Sequence, residues 1–181
     1  YAPLPKGNRI AIVSNSGGIC VETTDALVKN GLQVPTLSQE AQDEIMKLIP
    51  PFGNPRNPVD LTASLNLNSY LRVPDIVLRE DYIDGLIMVG LGTTLMHQMF
   101  PELKPEEFMD IYKWINQQLI EIFKKYEKPV LMINPAADIE PEAVRVLEEA
   151  GIPVYTTPER AADVMAVLYR RRRYLERVGA L

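Results

Sequence analysis

The chain has 181 residues, 46 % of them hydrophobic, which predicts a single domain with one well-buried core. Its net charge of −5 argues against nucleic-acid binding as the main function, and its single cysteine excludes an internal disulfide. No apolar run approaches the ~20 residues that span a bilayer, and no segment resembles a signal peptide, so we expect a cytoplasmic protein without a membrane partner.

Residues 1–8 begin with a tyrosine and contain two prolines and a glycine. That composition is typical of the end of a linker. We therefore expect the folded domain to occupy residues 9–181 of a longer polypeptide.

Short apolar runs alternate with helical patterns along the rest of the chain. Ser38 and Thr157 are predicted N-cap residues, and Pro74 is expected either to kink its helix or to start a new one. The predicted strands are residues 10–13, 59–61, 86–91, 129–134 and 153–155, and the predicted helices are residues 18–30, 39–49, 68–79, 106–126, 141–150 and from 158 onwards.

This alternation predicts an α/β fold with a mostly parallel sheet and helices on both faces, that is, three layers. In such sheets ligands bind at the carboxyl ends of the strands, where the strand order reverses. The turn after the first strand lies at such an end.

The turn "SNSGG" joins the first strand to its helix. Free backbone amides and the positive end of the helix dipole point out of a helix start, and glycines let an anion approach the backbone. The candidate anion-binding residues are therefore Asn15, Ser16, Gly17, Gly18 and Ile19, with the Ser16 side chain as a possible cap. The motif is neither a P-loop nor a dinucleotide fingerprint, and a tight turn without a ligand explains the glycines equally well.

The stretch "RNPVDL" is the second candidate. Asn57 precedes a proline, which favours extended or turn backbone, and Asp60 then lies near a strand end. If this strand is parallel to the first, Asn57 and Asp60 form a supporting loop at the edge that carries "SNSGG". A structural turn in which Asp60 binds its own backbone is the alternative.

These motifs, followed by "KPVLMIN" and "GIPVYTTPERAADVMAVLYRRRRYLER", resemble the NDP-forming acyl-CoA synthetases over essentially the whole chain. That family includes succinyl-CoA synthetase and the ADP-forming acetyl-CoA synthetases. The resemblance implies a flavodoxin-like (succinyl-CoA synthetase-like) domain that follows a CoA-binding domain and a phosphohistidine domain. It further implies the conversion of acyl-CoA, ADP and phosphate into the free acid, CoA and ATP.

In this family two helix N-termini stabilise the phosphate and the phosphohistidine, and the helix at "SNSGG" matches one of them. The resemblance thus implies no catalytic residue and no metal ligand in this chain. CoA, ADP or ATP, and phosphate are substrates of the full enzyme, and Mg belongs to a separate nucleotide-binding domain. The implied partners are the CoA-binding, phosphohistidine and ATP-grasp domains or subunits, in an oligomer.

Relatives often continue the glycine turn with another small residue, whereas Ile19 and Cys20 follow here and predict a narrower pocket.

Three other features have competing interpretations. His97, the only histidine, is flanked by apolar residues, so a structural or exposed role is expected rather than phosphoryl transfer. Cys20 lies in a first helical turn, which favours a thiolate, but burial as a small apolar side chain is the main expectation. The arginines at 170–173 predict a solvated or inter-domain face. The more specific alternative is a binding site for the phosphates of CoA.

A non-catalytic CoA-ligase-like domain, for instance in an acyltransferase fusion, is the alternative to the enzyme. A free-standing receiver or flavodoxin fits less well. A receiver needs clustered acids after the first strand, and a flavin site favours loop aromatics, whereas Trp114 falls within a predicted helix.

Overall fold

The computed structural model describes residues 3–62, 66–92, 100–138 and 141–181, without the side chains of residues 105, 106 and 141–143. Strands and helices alternate along the described residues, except that two helices separate the first two strands. The strands are β1 (Ile10–Ser14), β2 (Val59–Asp60), β3 (Gly85–Val89), β4 (Val130–Ile133) and β5 (Val154–Tyr155). The helices are α1 (Gly17–Lys29), α2 (Gln39–Met46), α3 (Leu67–Arg79), α4 (Pro105–Phe123), α5 (Pro141–Glu149) and α6 (Pro158–Arg177).

The strands of the described residues form one parallel sheet in the order β2-β1-β3-β4-β5. This is the flavodoxin-type order, in which the chain moves to one side of β1 and then returns to the other. The predicted parallel sheet is confirmed. The switch point lies at the carboxyl ends of β1 and β3, and α1 begins there.

Two apolar clusters, one on each face of the sheet, confirm the three layers. Because side chains alternate along a strand, Ile12 faces one cluster and its neighbour Val13 faces the other. Helices α2, α3, α4 and α5 cover the face of Val13, whereas α1 and α6 cover the face of Ile12.

The predicted helix starts are largely confirmed. The Ser38 hydroxyl accepts a hydrogen bond from the Ala41 amide at 3.1 Å, and the Thr157 hydroxyl accepts one from the Arg160 amide at 3.4 Å. Helix α3 runs unbroken through Pro74, so it does not restart there. Within the described residues, no helix is long and apolar enough to cross a membrane.

Candidate functional site at the start of helix α1

The candidate site lies where β1 and β2 end side by side. Ser14 of β1 is in register with Asp60 of β2, and the Leu61 amide donates to the Ser14 carbonyl at 2.8 Å. Because the two strands are parallel, the loops that follow them leave the same edge of the sheet. The structure therefore brings the turn at 14–17 and the Asp60 loop together, as the sequence predicts.

The first turn of α1 presents backbone amides without a side-chain cap. Ser16 occupies the N-cap position with extended backbone, but its hydroxyl makes no capping bond. The prediction that the Ser16 side chain caps α1 is therefore wrong. The Ser14 side chain stabilises the turn instead. Its hydroxyl accepts a hydrogen bond from the Ser16 amide at 2.9 Å and donates one to the Ser16 carbonyl at 3.1 Å.

The uncapped amides belong to Gly17, Gly18 and Ile19. The described residues supply no hydrogen-bond acceptor for these three groups. They therefore leave the positive end of α1 available to an external anion. Asn15, the remaining predicted binding residue, lies in the same turn between β1 and α1 and is half-buried.

The Asp60 carboxylate lies directly against Gly17. A Cβ built on Gly17 would be 2.9 Å from Asp60 Oδ2, so any larger residue here would require this carboxylate to shift. The other oxygen, Oδ1, accepts a hydrogen bond from the Thr62 amide at 2.7 Å. Thr62 has a φ of 54°, an uncommon value for a β-branched residue, and this bond helps to hold it. Asp60 thus supplies negative charge at the start of α1, which has no acid in its own first turn.

Asn57 supports β1 rather than the anion site directly. The Ile12 amide donates to Asn57 Oδ1 and Asn57 Nδ2 donates to the Ile10 carbonyl, both at 2.9 Å. Because β2 has only two residues, this side-chain amide replaces backbone pairing along the first part of β1. Asn57 is 8 % exposed, so both of its polar groups are used within the protein.

Cys20 is buried beneath the turn. Its side chain is 3 % exposed and lies 3.8 Å from the Val59 carbonyl. Burial raises the pKa of the Cys20 thiol to about 12, the Asp60 charge adds to this rise, and a hydrogen bond with Ser14 lowers it in part. Burial as a small apolar side chain is confirmed, and the alternative of a thiolate is wrong, since desolvation outweighs the helix dipole.

A further polar residue, Asn134, follows β4 at the same edge of the sheet. It is 2 % exposed, and its Oδ1 accepts a hydrogen bond from the Ala136 amide at 3.0 Å. Its Nδ2 is the buried side-chain polar atom without a partner in the described part of the chain. The sequence motifs do not single out Asn134, and its position at the end of a buried apolar run is the signal that could have found it.

None of the other candidate residues that the structure describes contributes to this site. His97 lies outside the described residues. The arginines at 170–173 lie in the last turns of α6, beyond its buried residues, which end at Ala166. Trp114 lies in α4, as expected. Across the described ranges, no group of three or more histidines, cysteines or acids is arranged to hold a metal ion.

A doubly wound parallel sheet, with an uncapped helix start at its switch point, defines an α/β protein of the ligand-binding, flavodoxin-like class. The chain belongs to the Ligase-CoA domain family, whose model matches residues 10–179. This confirms the family resemblance drawn from the motifs.

Curated relatives are ADP-forming CoA ligases. The chain is 34 % identical to the alpha subunit of Pyrococcus furiosus acetate–CoA ligase [ADP-forming] II, over 98 % of this chain and 36 % of that subunit. It is 27 % identical to the 4-hydroxybutyrate–CoA ligase [ADP-forming] of Nitrosopumilus maritimus, over 93 % of this chain and 22 % of that enzyme. The chain thus spans well under half the length of these relatives.

Solved structures agree with this family. The PH0766 protein of Pyrococcus horikoshii OT3 superposes with a TM-score of 0.80 at 31 % identity, over 95 % of this chain and 37 % of that one. A dinucleotide forming acetyl-coenzyme A synthetase 1 from Ca. Korarchaeum cryptofilum, in complex with phosphate and ADP, gives a TM-score of 0.72 at 25 % identity. That match covers 100 % of this chain and 37 % of the synthetase.

Proposed function

We propose that residues 9–181 are the flavodoxin-like domain of an ADP-forming acyl-CoA synthetase. The full enzyme converts acyl-CoA, ADP and phosphate into the free acid, CoA and ATP. The family membership and the ligases among the relatives support this reaction. The similar synthetase with bound phosphate and ADP supports phosphate and ADP as substrates.

Within that enzyme the start of α1 binds phosphate and stabilises a phosphohistidine that another domain carries. The observation behind this role is the uncapped first turn at the switch point. Its amides and the helix dipole stabilise a phosphoryl group without any covalent chemistry. A bound phosphate lies on the side of Gly18, because a Cβ on Gly18 would meet only Ser16 Oγ, at 3.9 Å, whereas the Asp60 carboxylate occupies the space at Gly17.

This assignment divides the work among domains. The chain positions the phosphoryl group and holds it electrostatically, and it supplies neither the histidine nor a metal ligand. The CoA-binding, phosphohistidine and ATP-grasp domains or subunits bind CoA, carry the phosphoryl group and bind the nucleotide with Mg. The alternative of a non-catalytic regulatory domain is not favoured, because the relatives described above are ligases.

The test is the Gly17→Val variant in the assembled enzyme, assayed with short acids, CoA and ATP by phosphate release. Valine adds a side chain to the first turn and forces the Asp60 carboxylate to shift, so phosphoryl transfer should fall by about 100-fold, as when a preorganised donor is lost. CoA binding, measured by calorimetry, should be nearly unchanged.

The matched control is Glu40→Val, which places valine at an exposed position in the first turn of α2. It should retain the wild-type rate. Wild-type turnover in Gly17→Val would refute the role of α1. Phosphate release from ATP that depends on neither the acid nor CoA would refute the reaction itself.

A further inference from the structure

The proposed phosphate site combines hydrogen-bond donors with one carboxylate. The amides of Gly17, Gly18 and Ile19 are donors for which the described residues supply no acceptor. Asp60 lies against the first of them. Since a carbon–carbon bond is about 1.5 Å long, Asp60 Oδ2 lies within about 4.4 Å of the Gly17 Cα. A group that attracts anions and a negative charge therefore meet at the start of α1.

The two oxygens of the Asp60 carboxylate have different surroundings. Oδ1 accepts the 2.7 Å hydrogen bond from the Thr62 amide, whereas no described residue donates a hydrogen bond to Oδ2. The register of Asp60 with Ser14 fixes its backbone, and the bond to Oδ1 holds the carboxylate. The side chain is only half-buried. Oδ2 is therefore a positioned acceptor that an external ligand can reach.

A carboxylate beside an anion site has an electrostatic cost. Two negative charges a few ångströms apart repel each other, so Asp60 weakens the binding of every anion that offers only acceptors. An anion that carries a proton differs, because its hydroxyl can donate to Oδ2. Such a bond from a hydroxyl to a carboxylate is charge-assisted and short, about 2.5–2.7 Å, and is among the stronger hydrogen bonds.

Phosphate and sulfate differ in this respect. Both are tetrahedral oxyanions of similar size, but at neutral pH phosphate keeps at least one P–OH group and sulfate keeps no hydroxyl. Backbone amides alone accept either ion, because both offer the same oxygens. A donor set that also contains a carboxylate oxygen rewards the P–OH group and repels sulfate, so it combines an attractive and a repulsive element of specificity.

We propose that Asp60 makes the start of α1 selective for protonated oxyanions of the phosphate type over sulfate. The amides at 17–19 bind the charged oxygens, and Asp60 Oδ2 accepts the hydrogen bond from the P–OH group. Arsenate, which is protonated like phosphate at neutral pH, belongs to the accepted class. This inference rests on the phosphate site proposed above and adds a specificity-determining residue to it.

The experiment is a nuclear magnetic resonance titration of the whole chain, which follows the amides of Gly17, Gly18 and Ile19. Sodium phosphate, arsenate and sulfate are added separately at about pH 7 and constant ionic strength, so that screening is equal. Wild type should bind phosphate and arsenate at least about tenfold more tightly than sulfate, the effect of one hydrogen bond to a charged group.

Asp60→Asn should remove this selectivity. Asparagine can keep an oxygen on the Thr62 amide and place an amide group where Oδ2 lies. It then donates to either ion, so the ratio of the sulfate and phosphate dissociation constants should fall by at least about tenfold. The matched control is Asp25→Asn, an exposed position of α1 about 12 Å along the helix from Gly17. It should keep the wild-type selectivity.

Circular dichroism checks that both variants are folded, and the wild-type comparison of the three ions needs no variant. Equal affinities of wild type for phosphate and sulfate, arsenate binding as weak as sulfate, or unchanged selectivity in Asp60→Asn would each overturn the inference.

The assembled enzyme distinguishes this inference from the proposed function. ATP formation from acyl-CoA, ADP and phosphate is measured with sulfate as the competing ion, and the inhibition constant of sulfate should be at least about tenfold above the KM of phosphate. Phosphate-dependent turnover in which sulfate competes as well as phosphate binds would refute the role of Asp60 and leave the proposed reaction intact. Selective binding in the titration without phosphate-dependent turnover would support the role of Asp60 and refute the reaction.

Discussion

Replacing Gly17 with alanine tests the contact that organises the candidate site. A Cβ at this position would be 2.9 Å from Asp60 Oδ2, so the carboxylate must move. Because Oδ1 of the same carboxylate accepts the 2.7 Å bond from the Thr62 amide, this shift should weaken that bond. Helix α1 therefore gains a better helix former and loses the bond that fixes the neighbouring loop.

Two magnitudes determine the outcome. Glycine to alanine at a compatible position stabilises a protein by about 0.4–1 kcal/mol, because the unfolded chain loses freedom. A hydrogen bond to a charged group contributes about 1.5–3 kcal/mol. Gly17→Ala should therefore lower the free energy of unfolding by about 0.5–2.5 kcal/mol. Each kcal/mol corresponds to a fall of roughly 2–4 °C in Tm for a chain of this size.

Gly18→Ala is the matched control in the same turn. Its Cβ would meet only Ser16 Oγ, at 3.9 Å, so the variant should be more stable than wild type. Urea unfolding followed by circular dichroism measures both variants. We expect Gly17→Ala to be about 1.5–3 kcal/mol less stable than Gly18→Ala, which is the worth of the displaced bond.

Removing the carboxylate should reverse the sign of the effect. In an Asp60→Ala background there is no oxygen for the new Cβ to displace, so Gly17→Ala should stabilise as Gly18→Ala does. Equal stability of the two single variants, or a Gly17→Ala effect that is the same in both backgrounds, would refute the reasoning.

Three other predictions follow from the same part of the sheet. Asn57→Ala leaves the Ile12 amide and the Ile10 carbonyl without partners, so it should lower the free energy of unfolding in urea by about 2–5 kcal/mol. Asn54→Ala, at an exposed position, should lower it much less. Equal effects of the two variants would contradict the role of Asn57 in supporting β1. Burial raises the pKa of the Cys20 thiol to about 12 and also raises the pKa of Tyr70. Above pH ~9 only the unfolded chain therefore loses these protons. The free energy of unfolding should then fall by up to about 1.4 kcal/mol per pH unit for each group. Cys20→Ala should flatten this loss between about pH 9 and 12, and an unchanged slope would exclude the thiol as its source. Asp60→Asn removes a charge that raises the pKa of Cys20, so an ultraviolet thiolate titration should give a lower pKa than in wild type; an equal or higher value would argue against this coupling.

The sequence alone determined the order of the elements and the fold class. Continuous apolar runs mark strands that are covered on both faces, and apolar residues at helical spacing mark the helices, so both signals are local. The N-caps Ser38 and Thr157 are predictable for the same reason, because a cap bonds within its own first turn. The motifs "SNSGG" and "NPVDL" also sufficed to indicate the family and the edge of the sheet at which both lie.

The tertiary structure alone decided how that edge is built. Ser16 has the residue type and position of a cap, yet its hydroxyl makes no capping bond, and Ser14 from the preceding strand binds its backbone instead. Asn57 braces β1 because β2 is too short to pair with it, and Asp60 fills the space that Gly17 leaves. The contacts of Asn57 and Asp60 join stretches that are far apart in the sequence, and their geometry depends on strand register. A glycine-rich turn in a sequence therefore indicates where an anion can bind, whereas the fold fixes which charge already lies there.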